Sequence, residues 1–436
     1  MRRAMFWWLL LIVFLCVGCG VGQVQIPATP AGQTLQAWLD AFNSGDRAKI
    51  ESYIKTTDST QTVDSMMGFG KQTGGFDLLS IESSEPLLIT FKVKEKASPT
   101  VAFGSLQLKT AQPATVENLS VRAVPPGAAI ESIRLDASER QRVIDGVAAK
   151  LTEYYVYPDV AQKMNAAMMD HEKRGEYDVI TDGGTFAGRL TQDLRDVSHD
   201  KHLRVDYSPF KLPPDRDGPS AQDMERMKTR MEHDNCGFEK VEILSRNIGY
   251  VKFNMFANPA FCGRTVAAAM DFVAHTDAVI FDLRDNGGGD PQMVALIATY
   301  LFDGKEHLND LYDRKSDKTT QFWTQPSVAG TKLGGTKPVY LLTSNRTFSG
   351  AEEFSYDLKN LKRATIVGET TGGGAHPVRG MRVDDHFIVG VPFARAINPV
   401  SKTDWEGTGV EPDHPVKAAD ALETAQKLAE ARVLAK

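Results

Sequence analysis

The sequence predicts an α/β domain built on a mostly parallel sheet with helices, preceded by a smaller α+β domain. Three observations carry this reading. From Ile248 onward, strand-like runs alternate with helix-period stretches, and two runs, 278–283 and 339–343, are apolar almost throughout, as strands covered on both faces are. Residues 76–124 instead hold four short β-rich segments that follow helix-period residues. Pro125-Pro126-Gly127 separates the two regions. Composition agrees: 436 residues suffice for two or three domains, and 42% hydrophobic with 24% charged residues is ordinary for a globular chain, which excludes disorder, coiled coil and collagen. Fifty Lys+Arg against 56 Asp+Glu leave a net charge of −6, which offers no general attraction to nucleic acid. Four cysteines are too few for a disulfide scaffold.

The first 22 residues read as an address. Met1-Arg2-Arg3 precedes an apolar run from Phe6 to Leu15, too short for the roughly 20 residues of a spanning helix and suited to a secretory signal. Cys16-Val17-Gly18-Cys19-Gly20 resembles a bacterial lipobox, which implies lipidation of Cys19 and an anchor in the cell envelope or periplasm; Cys16 stands where leucine is usual. Loss of Arg2 and Arg3 with this leader takes the charge from −6 to −8. Residues 23–32 have linker composition. In an oxidising compartment Cys236 and Cys262 can form a disulfide or remain as two buried thiols.

Within 33–126, Leu35, Trp38, Leu39 and Phe42 recur at helical spacing, followed by a Ser44-Gly45-Asp46 turn and then Ile50 and Ile54. Strands are expected at 76–82, 87–95, 100–110 and 114–124. The order of elements, together with the segment Trp38-Leu39-Asp40-Ala41-Phe42-Asn43-Ser44-Gly45-Asp46, resembles the nuclear transport factor 2-like cone fold. Domains of that fold include enzymes, and many are ligand- or protein-binding modules. A helical region is expected over 135–205, with Ile144, Val147 and Leu151 on one face, and then a Pro-rich loop from 204 to 223.

Two strand-to-helix turns point to chemistry. The run 278–283 leads into Arg284-Asp285-Asn286-Gly287-Gly288-Gly289, whose glycines permit positive φ and bare N–H groups, although a tight turn alone would also use them. The run 339–343 leads through Ser344-Asn345-Arg346-Thr347-Phe348 to Ser349, which opens a helix with Ala351, Phe354, Leu358 and Leu361 as its buried stripe. A serine there is ordinarily an N-cap. In an open α/β sheet, however, both turns lie at strand carboxyl ends, the usual crevice, and a hydroxyl beside free N–H groups is what acyl transfer needs.

Asp282-Leu283-Arg284-Asp285-Asn286-Gly287-Gly288-Gly289, Thr343 through Glu353, Gly368-Glu369-Thr370-Thr371-Gly372-Gly373-Gly374 and Trp405-Glu406-Gly407 together resemble the tail-specific (C-terminal-processing) serine peptidases. The likeness is greatest to the branch with the interphotoreceptor retinoid-binding protein repeats and the tricorn protease core, and it runs from about Ser138 to the C-terminus. It implies a ClpP/crotonase-like α/β domain over 135–436, in which Ser349 is the nucleophile and the N–H groups of Gly288 and Gly350 form the oxyanion hole. One branch takes its base from a lysine in the loop that here ends Gly372-Gly373-Gly374-Ala375, and that lysine is absent. The other takes a histidine from an Asp-x-His-Leu element, matched by Asp200-Lys201-His202-Leu203, so His202 is the expected base and His376 the alternative. Glu406 matches the assisting acid, while Lys201 stands where the tricorn pattern has a serine. Ser344 and His199 lie close by in sequence but do not match. No metal or other cofactor is implied, since no His-Glu-x-x-His or zinc-spaced Cys/His set occurs. Fewer than 50 residues separate His202 from Gly249, which leaves no room for a PDZ domain. The expected activity is hydrolysis of exported peptides or unfolded proteins. The alternative is a binding module or pseudo-peptidase of the same fold that holds an apolar ligand or protein partner.

Overall fold

The computed structural model describes residues 24–58, 61–124, 128, 135–214, 218 and 220–435. The signal segment, the lipobox with Cys19 and the Pro125-Pro126-Gly127 boundary lie outside the described residues. Contacts divide the chain into two compact units, 1–128 and 129–436.

In the first unit three helices, α1 (Pro30–Ser44), α2 (Arg47–Thr56) and α3 (Val63–Thr73), are followed by four strands. These are β1 (Phe76–Ser84), β2 (Leu88–Glu95), β3 (Val101–Ala111) and β4 (Ala114–Ala123), paired antiparallel in chain order. Trp38, Phe42, Phe76 and Phe91 centre its core. Gly45 takes φ 60° to end α1, and the Asp46 side chain caps α2, so the turn read from Ser44-Gly45-Asp46 has its physical cause. One boundary needs correction. Residues 30–32 are helix rather than linker: Thr29 caps the N–H of Gly32 at 3.0 Å, Pro30 occupies the first helical position, and Ala31 is buried. The Pro/Gly composition that suggested a linker is helix-start chemistry.

The second unit opens with α4 (Ala137–Tyr154), α5 (Pro158–Lys173) and α6 (Gly183–Ser198), then β5 (Arg204–Tyr207), α7 (Ala221–His233), β6 (Phe238–Leu244), β7 (Ile248–Phe253) and α8 (Pro259–Phe272). The expected loop from 204 to 223 is therefore corrected at both ends. Residues 204–207 pair antiparallel with a strand some 180 positions later, and Ser220 caps α7. The remaining elements are β8 (Ala278–Asp282), α9 (Pro291–Thr299), β9 (His307–Asp313), β10 (Lys318–Trp323), β11 (Val339–Thr343), α10 (Gly350–Asn360), β12 (Thr365–Gly368), β13 (Val378–Arg382), β14 (Phe387–Pro392), β15 (Ala394–Ile397), β16 (His414–Pro415) and α11 (Ala421–Leu434).

The central sheet runs β16-β12-β11-β8-β7-β6, parallel except for the β6–β7 edge pair. All five residues of β8 and of β11 are buried, which is the signature of strands covered on both faces. One face packs on residues of α8, α9 and α10, and the other on the alanines Ala421, Ala425 and Ala429 of α11. Two small antiparallel sheets, β10-β9-β15 and β13-β14-β5, complete the unit; β5 and β14 carry part of the apolar core shared with α4, α5 and α6.

A disulfide joins Cys236, in the turn before β6, to Cys262 in α8, and both residues are buried. It closes a loop of 26 positions, for which chain entropy gives about 3.5 kcal/mol. The double variant Cys236→Ser/Cys262→Ser is expected to lose that amount in urea unfolding; an unchanged midpoint would show that the bond does not limit the unfolded chain.

Candidate active site

Two turns at the carboxyl ends of β8 and β11 meet. In the first, buried Asp282 receives the Tyr250 hydroxyl at 2.6 Å and Arg284 Nε at 2.8 Å, which fixes the exit of the strand. Asn286, fully buried, donates to Phe253 O, and its own carbonyl receives the N–H of Phe348 at 3.0 Å. Gly288 has φ 95°, and a Cβ there would sit 2.5 Å from Gly350 N and 2.8 Å from Ser349 Cβ. Only glycine permits that approach of two backbones.

In the second turn Ser344 is wholly buried. Its Oγ donates to Arg284 O at 2.5 Å and accepts the Arg346 N–H, so it is a structural hydroxyl. Ser349 is half-buried and has φ 52° and ψ −120°, a conformation that non-glycine residues rarely adopt. The N–H groups of Glu352 and Glu353 go to the carbonyl oxygen of Ser349 at 2.8 and 2.9 Å. The main-chain carbonyl of Ser349 thus serves the helix terminus.

The Glu352 carboxylate, with no exposure, fixes this turn. Its Oε2 accepts the N–H of Ser349 and of Gly374, both at 2.8 Å. Its Oε1 accepts the Thr371 hydroxyl at 2.5 Å and the Gly373 N–H at 2.6 Å. Burial raises the Glu352 pKa, and these four donors oppose the rise. The 371–374 loop is held further by Trp405 Nε1 on Gly374 O at 2.7 Å and by Lys201 Nζ on Gly372 O at 2.5 Å.

His202 lies against that loop. Its ring packs on Phe348, the residue before Ser349, with centroids 4.6 Å apart, and its Cε1 is 2.6 Å from where a Gly374 Cβ would be. No hydrogen bond joins it to Ser349 Oγ among the described residues. Its Nδ1 is enclosed without a partner, 4.0 Å from Asp200 Oδ1, and its backbone N–H donates to the same oxygen at 3.0 Å. Burial drives the His202 pKa down to about 4. His376 is placed differently. Its Nδ1 is 2.7 Å from Asp200 Oδ2 and 3.5 Å from Glu406 Oε2, while its Nε2 is enclosed and unpartnered. Glu406 accepts the Ala375 N–H at 2.5 Å, and burial pushes its pKa up to about 7. Asp200, His202 and Glu406 each bring one side-chain atom within 4.8 Å of the other two.

Gly350, at the first position of α10, has an N–H with no partner among the described residues. Gly288 does not: its N–H donates to Asn286 Oδ1 at 2.9 Å. The next N–H, of Gly289, makes no hydrogen bond among the described residues and lies 3.0 Å from where a Gly350 Cβ would be. Asp200 and Asn286 are site residues that motif matching quoted without a role. The clue to Asp200 was its place two residues before His202.

Family models match both parts of this unit. "Peptidase family S41" matches residues 247–416, and "N-terminal domain of Peptidase_S41 in eukaryotic IRBP" matches residues 129–239. The chain belongs to peptidase family S41. Similar S41 proteins include the chloroplastic carboxyl-terminal-processing peptidase 2 of Arabidopsis thaliana, 27% identical over 183 residues, which are 39% of this chain and 32% of that protein. The chloroplastic carboxyl-terminal-processing peptidase 1 of the same plant is 28% identical over 177 residues, 40% of this chain and 35% of that protein. The chain thus spans about a third of the length of the curated relatives it matches. Among solved structures, the photosystem II D1 C-terminal processing protease aligns with TM-score 0.33 and 24% identity, over 39% of this chain and 43% of that one.

In this S41 chain the stretch matched by the peptidase model contains Ser349, Gly288, Gly350, His376 and Glu406, while His202 lies in the stretch matched by the N-terminal model. Glu352→Ala would strand four donors around one buried point. The expected loss is about 3 kcal/mol or more in chemical denaturation; a loss below about 1 kcal/mol would show that water replaces the carboxylate.

Proposed function

We propose that this chain is an exported serine peptidase that cleaves peptides or unfolded proteins in the cell envelope through an acyl-enzyme on Ser349. The observation that carries the reading is the Ser349 turn: a backbone in a rarely used conformation, its N–H clamped by Glu352, its carbonyl serving the helix, and unbonded N–H groups at Gly350 and Gly289 beside it. Ser349 Oγ attacks the peptide carbonyl while His202 Nε2 takes its proton, and the imidazolium so formed is stabilised by Asp200 and Glu406. The N–H of Gly350 and that of Gly289 receive the oxyanion, Gly289 replacing Gly288, whose N–H is already engaged. Collapse breaks the C–N bond, and His202 returns the proton to the leaving amine. A water molecule, deprotonated by the same histidine, then releases the acid and restores Ser349. The 4.0 Å gap between Asp200 and His202 Nδ1 closes when the proton arrives, as hydrogen bonds at such sites tighten in the reacting complex. The leader and Cys19 support export and a lipid anchor; the disulfide supports an oxidising compartment.

Labelling with a fluorophosphonate tests the reading. Wild type is expected to react, Ser349→Ala to lose all labelling, and His202→Ala to slow it at least about 10²-fold. Loss in His376→Ala with His202→Ala unaffected would move the base to His376. A wild type that binds apolar ligands or a partner protein but never labels would support the non-catalytic alternative instead.

A further inference from the structure

Asp200 has two oxygens and two histidines. Its Oδ2 faces His376 Nδ1 at 2.7 Å and the Tyr155 hydroxyl at 3.4 Å; its Oδ1 holds the His202 N–H at 3.0 Å and stands 4.0 Å from His202 Nδ1. The carboxylate is 2% exposed, so solvent cannot substitute for either partner. We infer that His376 is a positioning residue for the base: as an imidazolium it holds one oxygen of Asp200 and the nearby Glu406, and so keeps the other Asp200 oxygen aimed at His202. The inference rests on the assignment of His202 as base.

The position of His376 makes it the direct partner of Asp200. Its Nδ1 faces Asp200 Oδ2 at 2.7 Å, and its Nε2 is enclosed with no partner among the described residues. The ring is held by the edge of Tyr157, centroids 5.5 Å apart, and is 3% exposed. Charge accounting explains why the proton stays. Asp200 faces His376 from the loop after α6, Glu406 and Asp404 from the 404–406 loop, and Tyr155 and Tyr157 from the α4–α5 connection; His202 lies beyond Asp200. Arg195 and Arg204 act on the His202 side and Arg395 on Tyr157. Burial pulls the His376 pKa down, but the Asp200 hydrogen bond and the Glu406, Asp200 and Asp404 charges outweigh it, so the group lies above its ordinary value. The imidazolium opposes the rise that burial imposes on the Glu406 pKa, and it holds Asp200 Oδ2 at 2.7 Å.

The signs follow. Removing the imidazolium takes a positive neighbour from Glu406 and from His202, and both pKa values rise. The acidic limb of the reaction therefore moves to higher pH. The test uses the full chain with ¹⁵N-labelled histidine, long-range ¹H–¹⁵N spectra across the titration range, and the pH profile of fluorophosphonate reaction. In wild type His376 is expected to remain doubly protonated at pH values where His202 is neutral. His376→Gln, which keeps a donor but no charge, should raise the His202 titration and shift the acidic limb upward by about one pH unit, a factor of about 10 in the ionisation constant. Asp200→Asn should release the His376 proton at lower pH. A purely structural role would leave the His202 titration and the profile of His376→Gln unmoved, and that result overturns the inference, as does a His376 that titrates below His202. A wild type that never reacts with the probe refutes the peptidase reading, while the titrations of the two histidines still decide the His376 assignment.

Discussion

A single buried carboxylate organises the site. Glu352 joins the Ser349 turn to the Gly-rich loop through four donors, three of them backbone N–H groups. Together with the Gly372 N–H on Thr347 O at 2.9 Å it fixes Gly374 against Ser349, and His202 packs on the surface that Gly374 and Phe348 form. The bare cost of desolvating a carboxylate is several kcal/mol, and it is offset here because the acceptor capacity is filled. The acid sits three residues beyond Ser349, within the first turn of α10, where the helix dipole also favours negative charge.

The sheet supplies the rest of the constraint. β8 and β11 are adjacent and parallel, in a register that pairs Leu342 with Asp282, so both strands deliver their turns to the same edge. The turns then approach more closely than side chains allow. Gly288 against Gly350 and Ser349, and Gly374 against His202 and Phe348, are contacts between backbone and site with no room for a Cβ. The glycines are thus read twice, once for their conformations and once for the space they leave. The unusual Ser349 backbone, worth about 1–3 kcal/mol, survives because strands buried on both faces anchor one side and α10 the other.

What the sequence made legible were features whose cause is local. The continuous apolar runs identified β8 and β11, helical spacing identified the buried faces of α1 and α4, and the Ser44-Gly45-Asp46 turn and the serine-opened helix were readable from capping chemistry. What stayed hidden depends on partners far along the chain. β5 reads as loop because its pairing partner begins at Phe387, and Pro30 reads as linker because Ala31 finds Pro86 O only in the fold. His202 and His376 were readable only as two candidate bases; that they share one carboxylate, 176 positions from His376, has no trace in spacing. The engagement of the Gly288 N–H was equally invisible, since it turns on the rotamer of Asn286.

The site solves the problem of buried negative charge in two ways. Around Glu352 every donor is an N–H or O–H dipole, so the geometry of the Ser349 turn is held by groups whose charge is constant. Around Asp200 and Glu406 the facing group is the His376 imidazole. Three enclosed atoms there, His202 Nδ1, His376 Nε2 and Glu406 Oε1, also lack partners among the described residues, which leaves this half of the site under-bonded where the Glu352 half is filled. In the proposed mechanism the base changes its charge during each turnover while the serine turn stays in place. The division between a saturated, dipole-bound carboxylate and an under-bonded pair suits that mechanism, with rigidity under Ser349 and proton responsiveness under His202.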